Sequence, residues 1–125
     1  MREIKFRGFS KTLNKWIIGV PYFSEGNWWI LVDENTKSED IGTGSYFVDK
    51  NSIGQHTGLK DINKVEIYEG DILKSDIDEA LGVVCFEDGK FVVNWENISE
   101  DLFEWTGEFI IGNIYENPEL LEQEK

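Results

Sequence analysis

Residues 83–95 read VVCFEDGKFVVNW, and this stretch decides the fold class of the chain. The Asp88-Gly89 pair stands between two runs of β-branched and aromatic residues. Asp and Gly accept the positive φ angles of a two-residue turn, and the flanking runs favour extended backbone. The stretch therefore predicts an antiparallel hairpin in which Val83–Phe86 pairs with Phe91–Trp95.

Strand signals continue on both sides of this hairpin. Residues 16–20 and 28–32 are β-prone, and the Ser-Glu-Gly-Asn turn between them predicts a second hairpin. Pro21 has no N–H for a β-ladder, which places its strand at an edge or a bulge. Residues 109–115 predict a further strand, in which Gly112 indicates a bulge or a close backbone approach.

Helix signals are sparse. The Asn117-Pro118 pair and the acidic residue after it predict one or two helical turns near the carboxyl end. Short strands, tight turns and little helix predict an all-β fold, a small partly open barrel or sandwich with short helical turns. Residues 69–95 are similar to the opening of an SH3-like barrel. At this length we expect a single domain, residues 1–125.

The composition argues against several classes of protein. No run approaches the roughly 18 apolar residues of a membrane-spanning helix, and the amino end lacks the apolar centre of a signal peptide. Cys85 is the single cysteine, which excludes an internal disulfide and fits a reducing compartment. We therefore expect a cytoplasmic protein without membrane contact.

The charge is large and uneven. The formal net charge is −13, yet residues 1–20 hold five bases against one acid, and residues 91–124 hold nine acids and no base. An acidic body repels phosphate backbones and anionic lipid. We therefore expect no binding to nucleic acid, and we expect that any charged partner offers a basic surface.

No catalytic or metal-binding constellation is recognisable. His56 is the single histidine, and no nucleophile motif surrounds it, which favours a structural histidine. Cys85 lies between apolar strand residues, which favours a buried, inert thiol. Residues 76–82 begin like a calcium loop, but Ala80 and Leu81 stand where a ligand and Gly are required. We predict no catalytic residue, no metal site and no cofactor.

Three separated motifs resemble one known family. Residues 55–72 read QHTGLKDINKVEIYEGDI, residues 4–7 read IKFR, and residues 111–121 read IGNIYENPELL. In this order they resemble the YopX family, small bacteriophage and prophage proteins with no established activity. The chain departs from the family at 8–10, where Gly-Phe-Ser stands, and at Asn63-Lys64, where Asn-Gly is common. The resemblance implies a fold and a phage or prophage source, and it transfers no functional residue.

The central motif has two interpretations. In the structural one, Gly58 and Gly70 take positive φ in tight turns and Asp71 binds nearby backbone N–H groups. In the functional one, polar residues of the motif line a surface for a ligand or partner. The residues of this candidate surface are Gln55, His56, Thr57, Lys60, Asp61 and Tyr68.

Three hypotheses for function follow. The leading one is a non-enzymatic protein-binding module, whose partner is a host or phage protein or a second copy of the chain. Adjacent Trp28 and Trp29 support it, because neighbours on a strand face opposite sides and one of them can lie on an outer face. The first alternative is an acidic mimic of nucleic acid that occupies a host DNA-binding protein. The second is a hydrolase with a carboxylate site involving Asp61, Glu69 or Asp71.

Overall fold

The Asp88-Gly89 hairpin is confirmed in the computed structural model, which describes residues 4–75, 77, 79–96, 98–104 and 108–122. Asp88 and Gly89 have φ angles of 52° and 81°, so both turn positions are left-handed. The arms pair antiparallel from Val83 opposite Asn94 to Glu87 opposite Lys90. The paired part of the second arm ends at Asn94, one residue before the predicted end.

Strands dominate the described residues. They are β1 (Phe6–Ser10), β2 (Lys15–Ser24), β3 (Asn27–Val32), β4 (Gly44–Phe47), β5 (Gly54–Lys60), β6 (Glu66–Tyr68), β7 (Asp71–Lys74), β8 (Leu81–Glu87), β9 (Lys90–Asn94), β10 (Ser99–Asp101) and β11 (Phe109–Asn113). Single 3₁₀ turns span Lys50–Ser52 and Leu102–Glu104, and helix α1 spans Glu119–Glu122. The predicted all-β class is confirmed, and the described strands form open antiparallel sheets rather than a closed barrel.

The chain divides into two compact units, residues 1–56 and 57–125. In the first unit the strands lie in the order β4-β3-β2-β1, and the start of β5 pairs with β1. Strand β2 changes partner along its length, because residues 15–19 pair with β1 and residues 20–24 pair with β3. Pro21 lies just past the end of β1, at the local edge that its missing N–H predicts.

One face of the first sheet forms the core of this unit. The buried side chains are Ile17, Ile30, Val32, Ile41 and Val48. Trp28 and Tyr46 pack against this cluster and are themselves partly buried. Because strand residues alternate between faces, the neighbours of these core residues point to the opposite side of the sheet.

The second unit is built on a five-stranded antiparallel sheet in the order β10-β9-β8-β7-β11. Its buried core comprises Ile67, Leu73, Val84, Phe91, Val93 and Leu102. Strand β11 carries a register shift between Ile110 and Gly112, and a Cβ on Gly112 would come within 2.5 Å of the Asn117 side-chain oxygen. Gly112 therefore lies at the predicted bulge, and the close approach there is made by the Asn117 side chain rather than by backbone.

The carboxyl-terminal helical turn is also confirmed. Helix α1 begins at Glu119, and the Leu120 N–H donates to the Asn117 carbonyl oxygen. The Asn117 side-chain oxygen accepts the Asn113 N–H, so Asn117 connects the end of β11 with the start of α1. Asn117 therefore serves both neighbouring elements.

Candidate functional site

Asp61 organises the loop between β5 and β6. One carboxylate oxygen accepts the backbone N–H groups of Asn63 and Val65, both at 2.9 Å. The other oxygen accepts the Ile110 N–H of β11 at 3.0 Å. The side chain is buried, and both of its oxygens are hydrogen-bonded to the backbone. Asp61 therefore holds the loop closed and fixes it to β11.

Asp71 plays a similar part in the turn between β6 and β7. It is buried, with 1% of its surface exposed, and its carboxylate accepts the Tyr68 N–H at 2.7 Å. Gly70 donates its N–H to the Val84 carbonyl oxygen, and its own carbonyl accepts the Ile114 N–H. The turn is thereby fixed to β8 and to the residue after β11.

The two motif glycines are left-handed. Gly58 has a φ of 88° and Gly70 a φ of 95°. Gly70 lies in the turn between β6 and β7, whereas Gly58 lies inside β5 rather than in a separate turn. Next to Gly58, the Thr57 hydroxyl accepts the Leu59 N–H at 3.2 Å. A local side-chain contact thus accompanies the unusual φ within the strand.

We predict that Gly58→Ala and Gly70→Ala each lower the free energy of unfolding by about 1 kcal/mol, because Ala is strained at positive φ. Urea denaturation of each variant measures the change. Gly42→Ala is the matched control, since a Cβ there meets no atom within 4 Å and its φ is not left-handed. Equal stability of all three variants and the parent chain would show that the positive φ does not require glycine at either position.

The six residues that were predicted to line a ligand or partner surface differ widely in their exposure to solvent. His56, Thr57, Asp61 and Tyr68 are buried, Gln55 is half-buried and Lys60 is exposed. The backbone N–H of His56 donates to the Lys5 carbonyl oxygen within the first unit. In the second unit the Thr57 hydroxyl donates to the Ile67 carbonyl oxygen at 2.8 Å. Most of the set therefore lies inside the protein, where the Thr57 hydroxyl and the Asp61 carboxylate bind backbone groups.

Three carboxylates were proposed for a hydrolase site. Asp61 and Asp71 bind backbone N–H groups, and Glu69 is half-buried in the turn before Asp71. Within the described residues, no group of three His, Cys, Asp or Glu side chains is placed to hold a metal ion. Asp76 and Asp78 of the calcium-like segment lie outside the described residues.

Cys85 is a half-buried thiol on β8. The Asn94 side-chain amide donates to its sulfur at 3.3 Å, and the thiol donates weakly to the Val83 carbonyl oxygen at 3.8 Å. Burial, followed by the nearby Glu87 carboxylate, raises the pKa of the Cys85 thiol, although the Asn94 contact acts in the opposite direction. The thiol therefore stays protonated at neutral pH.

We predict that iodoacetamide alkylates Cys85 more slowly in the folded chain than in the urea-unfolded chain. The thiolate is the nucleophile, and a raised pKa shifts its formation to higher pH. The alkylation rate should therefore reach half its maximum at a higher pH in the folded chain. Glu87→Gln should move that midpoint down, and Asn94→Ala should move it up. A midpoint below that of the unfolded chain would contradict the prediction.

The face opposite the first core is apolar and exposed. We call it the outer face, and it consists of Val20, Tyr22, Trp29, Leu31 and Phe47. Val20 is directly opposite Leu31, Tyr22 is opposite Trp29, and Trp29 is opposite Phe47, so all five side chains lie on one side of three adjacent strands. Val20, Leu31 and Phe47 keep 52%, 46% and 48% of their surface exposed.

Contacts between side chains restrict the conformations of the three aromatic residues of the outer face. Trp29 and Phe47 meet edge to face with ring centroids 5.9 Å apart. The Trp29 Nε1–H donates to the Ser24 carbonyl oxygen at 3.1 Å, and the Tyr22 hydroxyl donates to the Ser45 hydroxyl at 2.7 Å. These contacts reduce the rotamer freedom that the side chains would lose on binding a partner.

Sequence reasoning found one member of this face and missed the others. The prediction that Trp28 and Trp29 face opposite sides is confirmed, because Trp28 packs against the core and Trp29 lies on the outer face. The other four residues were not identified. The usable signal was that residues 16–20 and 28–32 are apolar at nearly every position, where a strand with one solvated face would alternate.

The net charge is divided unequally between the units. Residues 1–56 contain seven basic and seven acidic residues, which leaves no formal net charge. Residues 57–125 contain five basic and 18 acidic residues, which accounts for the whole charge of −13. The apolar outer face therefore belongs to an electrically neutral unit.

These features define a small all-β protein of open antiparallel sheets, with an apolar outer face on the neutral unit. The family model described as YopX protein matches residues 5–122, and the chain belongs to the YopX family. A similar solved structure is that of protein EF1440 from Enterococcus faecalis, with 32% identity, 97% of this chain and 99% of that chain covered, and a TM-score of 0.62. No curated protein matches the chain. Across the described residues, no helix has the length and apolarity needed to span a membrane.

Proposed function

We propose that this protein is a phage or prophage protein that acts without catalysis, in the host cytoplasm, by binding a host or phage protein. The outer face is the binding surface. The observation that carries this proposal is a row of three aromatic side chains, Tyr22, Trp29 and Phe47, running across three strands beside two exposed aliphatic residues. Aromatic residues are enriched at protein interfaces and dominate their binding energy.

The chemistry of the outer face also defines the partner. Its five side chains carry no charge, and the unit that presents them has no formal net charge. A surface of this kind gains free energy mainly by removing apolar area from water. The partner surface should therefore be apolar at its centre, and salt should affect the affinity little.

Capture from a bacterial host lysate tests the proposal when it is made with matched variants. Leu31→Ser combined with Phe47→Ser removes apolar area from the outer face, and both positions are exposed enough for the fold to survive. Phe103→Ser is the control, because Phe103 is 77% exposed on the second unit. The double variant should capture the specific partner about tenfold less well or worse, whereas the control should match the parent chain. Equal capture by all three proteins would refute the outer face as the binding surface.

A second candidate function rests on the second unit. Its 18 acidic residues against five basic ones favour a mimic of nucleic acid that occupies a DNA-binding protein. A partner held in this way should be released by duplex DNA and by raised salt. Leu31→Ser with Phe47→Ser should then leave capture unchanged. Partner release by DNA would support the mimic, and capture that resists both DNA and salt would eliminate it.

A further inference from the structure

Strand β4 ends its sheet and is open on one side. It pairs with β3, from Val32 opposite Gly44 to Trp29 opposite Phe47, and no described strand lies beyond it. Gly44, Ser45 and Phe47 are all exposed. The free side of β4 is therefore accessible to another chain.

The hydrogen-bond pattern identifies which backbone groups point outward. The Val48 N–H donates to the Trp28 carbonyl oxygen, just beyond the end of the β3–β4 ladder. Antiparallel strands alternate bonded and non-bonded pairs, so Tyr46 bonds toward β3 while Ser45 and Phe47 direct their N–H and C=O groups outward. Among the described residues, no other backbone group outside the ladder bonds to Ser45 or Phe47. These outward groups form a template for one more strand.

Strand β4 also lacks the features that protect other edges of this protein from pairing. At one end of the second sheet, β10 carries Glu100 and Asp101. At the other end, β11 is interrupted by its bulge. Strand β4 reads GSYF, with no charged residue, no proline and no register shift. Charges, proline and bulges are among the devices that oppose edge-to-edge association, and the short length of β4 is the one such device that it has.

We propose that β4 pairs antiparallel with β4 of a second copy, around a twofold axis at Tyr46. In this register Ser45 of each copy faces Phe47 of the other, and these residues exchange four backbone hydrogen bonds. The sheet of the first unit in one copy then joins the same sheet of the other copy through β4, and the two form one continuous sheet. An isologous contact of this kind closes on itself and gives a dimer rather than a fibre.

Side-chain size supports this register. Directly opposite residues lie on the same face, so Phe47 of one copy lies beside the small Ser45 of the other. Beyond Ser45 lies Leu31, its partner on β3. On this face the Phe47 ring can therefore cover Ser45 and reach toward Leu31 of the second copy, while on the opposite face the two Tyr46 side chains meet at the twofold axis. The same pairing repeats across the twofold axis.

The self-complementary pairing of the small Ser45 with the large Phe47 favours a second copy as the occupant, and the charge of the first unit does not oppose it. The unit that carries β4 has no formal net charge, whereas the second unit carries −13 and repels its equivalent in another copy. The edge itself contributes no charge to the contact. Pairing through β4 leaves Val20, Tyr22 and Trp29 of each outer face open, while Phe47 and Leu31 lie at the join between the two copies. This inference concerns the edge and does not depend on the proposed function of the face.

Sedimentation equilibrium over a wide concentration range tests the dimer. The wild-type chain should show a reversible monomer–dimer equilibrium. Ser45→Pro deletes the outward N–H and leaves the bonds of Tyr46 to β3 intact, so it should weaken the dimer about tenfold or more while the fold is retained. Ser45→Ala keeps that N–H and is the matched control. It should dimerise like the wild type.

Two outcomes would overturn the proposal. One is a wild-type chain that stays monomeric at every concentration, and the other is a Ser45→Pro variant that dimerises as well as Ser45→Ala. If Ser45→Pro does not fold, amide hydrogen exchange of the wild type decides the question. The Ser45 and Phe47 amides should then exchange more slowly as the concentration rises, and exchange rates independent of concentration would refute the pairing.

Discussion

Asp61→Ala is expected to lower the free energy of unfolding by about 3 kcal/mol, a large part of the stability of a small protein. The substitution removes the acceptor for three backbone N–H groups, those of Asn63, Val65 and Ile110. These three hydrogen bonds are partly buried, and a donor left there without its partner costs more than the mean value of a hydrogen bond. Urea denaturation followed by tryptophan fluorescence measures the loss.

Two controls separate this effect from simple loss of charge. Asp61→Asn keeps one oxygen for the loop N–H groups but turns an amide donor toward the Ile110 N–H, so its cost should be intermediate. Glu96 is exposed and of the same charge, and Glu96→Ala should stay within about 0.5 kcal/mol of the parent chain. An Asp61→Ala variant as stable as Glu96→Ala would show that the loop does not depend on the carboxylate.

Gly19→Ala is expected to be nearly as damaging in the first unit, for a steric reason. Strand β2 changes partner from β1 to β3 immediately after Gly19. A Cβ at this position would overlap the Leu31 carbonyl oxygen and press on the Ile30 side chain. Because backbone is the obstacle, the strands must separate, and we expect a loss of about 3 kcal/mol.

Thermal unfolding of Gly19→Ala and Gly42→Ala tests this expectation. Gly42 offers open space for a Cβ, so Gly42→Ala should be neutral or slightly stabilising. The melting temperature should fall clearly for Gly19→Ala alone. Equal melting temperatures would mean that β2 and β3 can shift apart without cost, contrary to the packing described.

The elements that the sequence predicts best are those whose signal is local. Asp88-Gly89 and the Glu25-Gly26 pair each place two consecutive residues at positive φ, and hairpins form at both. Gly112 indicated its bulge because a Cβ there would overlap the Asn117 side chain. In each of these cases the residues that determine the local structure lie within a short segment. The prediction therefore did not require knowledge of contacts between distant residues.

Features that depend on distant residues were not predictable in the same way. Asp61 fixes its loop by accepting the N–H of Ile110, which is 49 positions away. No sequence pattern indicates this hydrogen bond. The outer face requires the register of three strands, which places Tyr22, Trp29 and Phe47 in one row. Gly58 shows the same limit, since its positive φ lies inside a strand and not in the expected tight turn.

The division of charge gives the two units different parts in the proposed function. A neutral apolar face can bind a partner without desolvating charged groups, which is costly at an interface. The acidic unit beside it in sequence repels phosphate backbones and other acidic surfaces. In the proposed function the first unit would supply affinity, and the second would discourage contact with nucleic acid.

The most direct test of the outer face is the dissociation constant of the captured partner, measured by calorimetry at low and high salt. We predict that Leu31→Ser with Phe47→Ser raises the dissociation constant about tenfold or more, while salt changes it little for the parent chain. Binding should also show a negative heat-capacity change. A dissociation constant that rises steeply with salt and ignores the double substitution would contradict the account and assign binding to the acidic second unit.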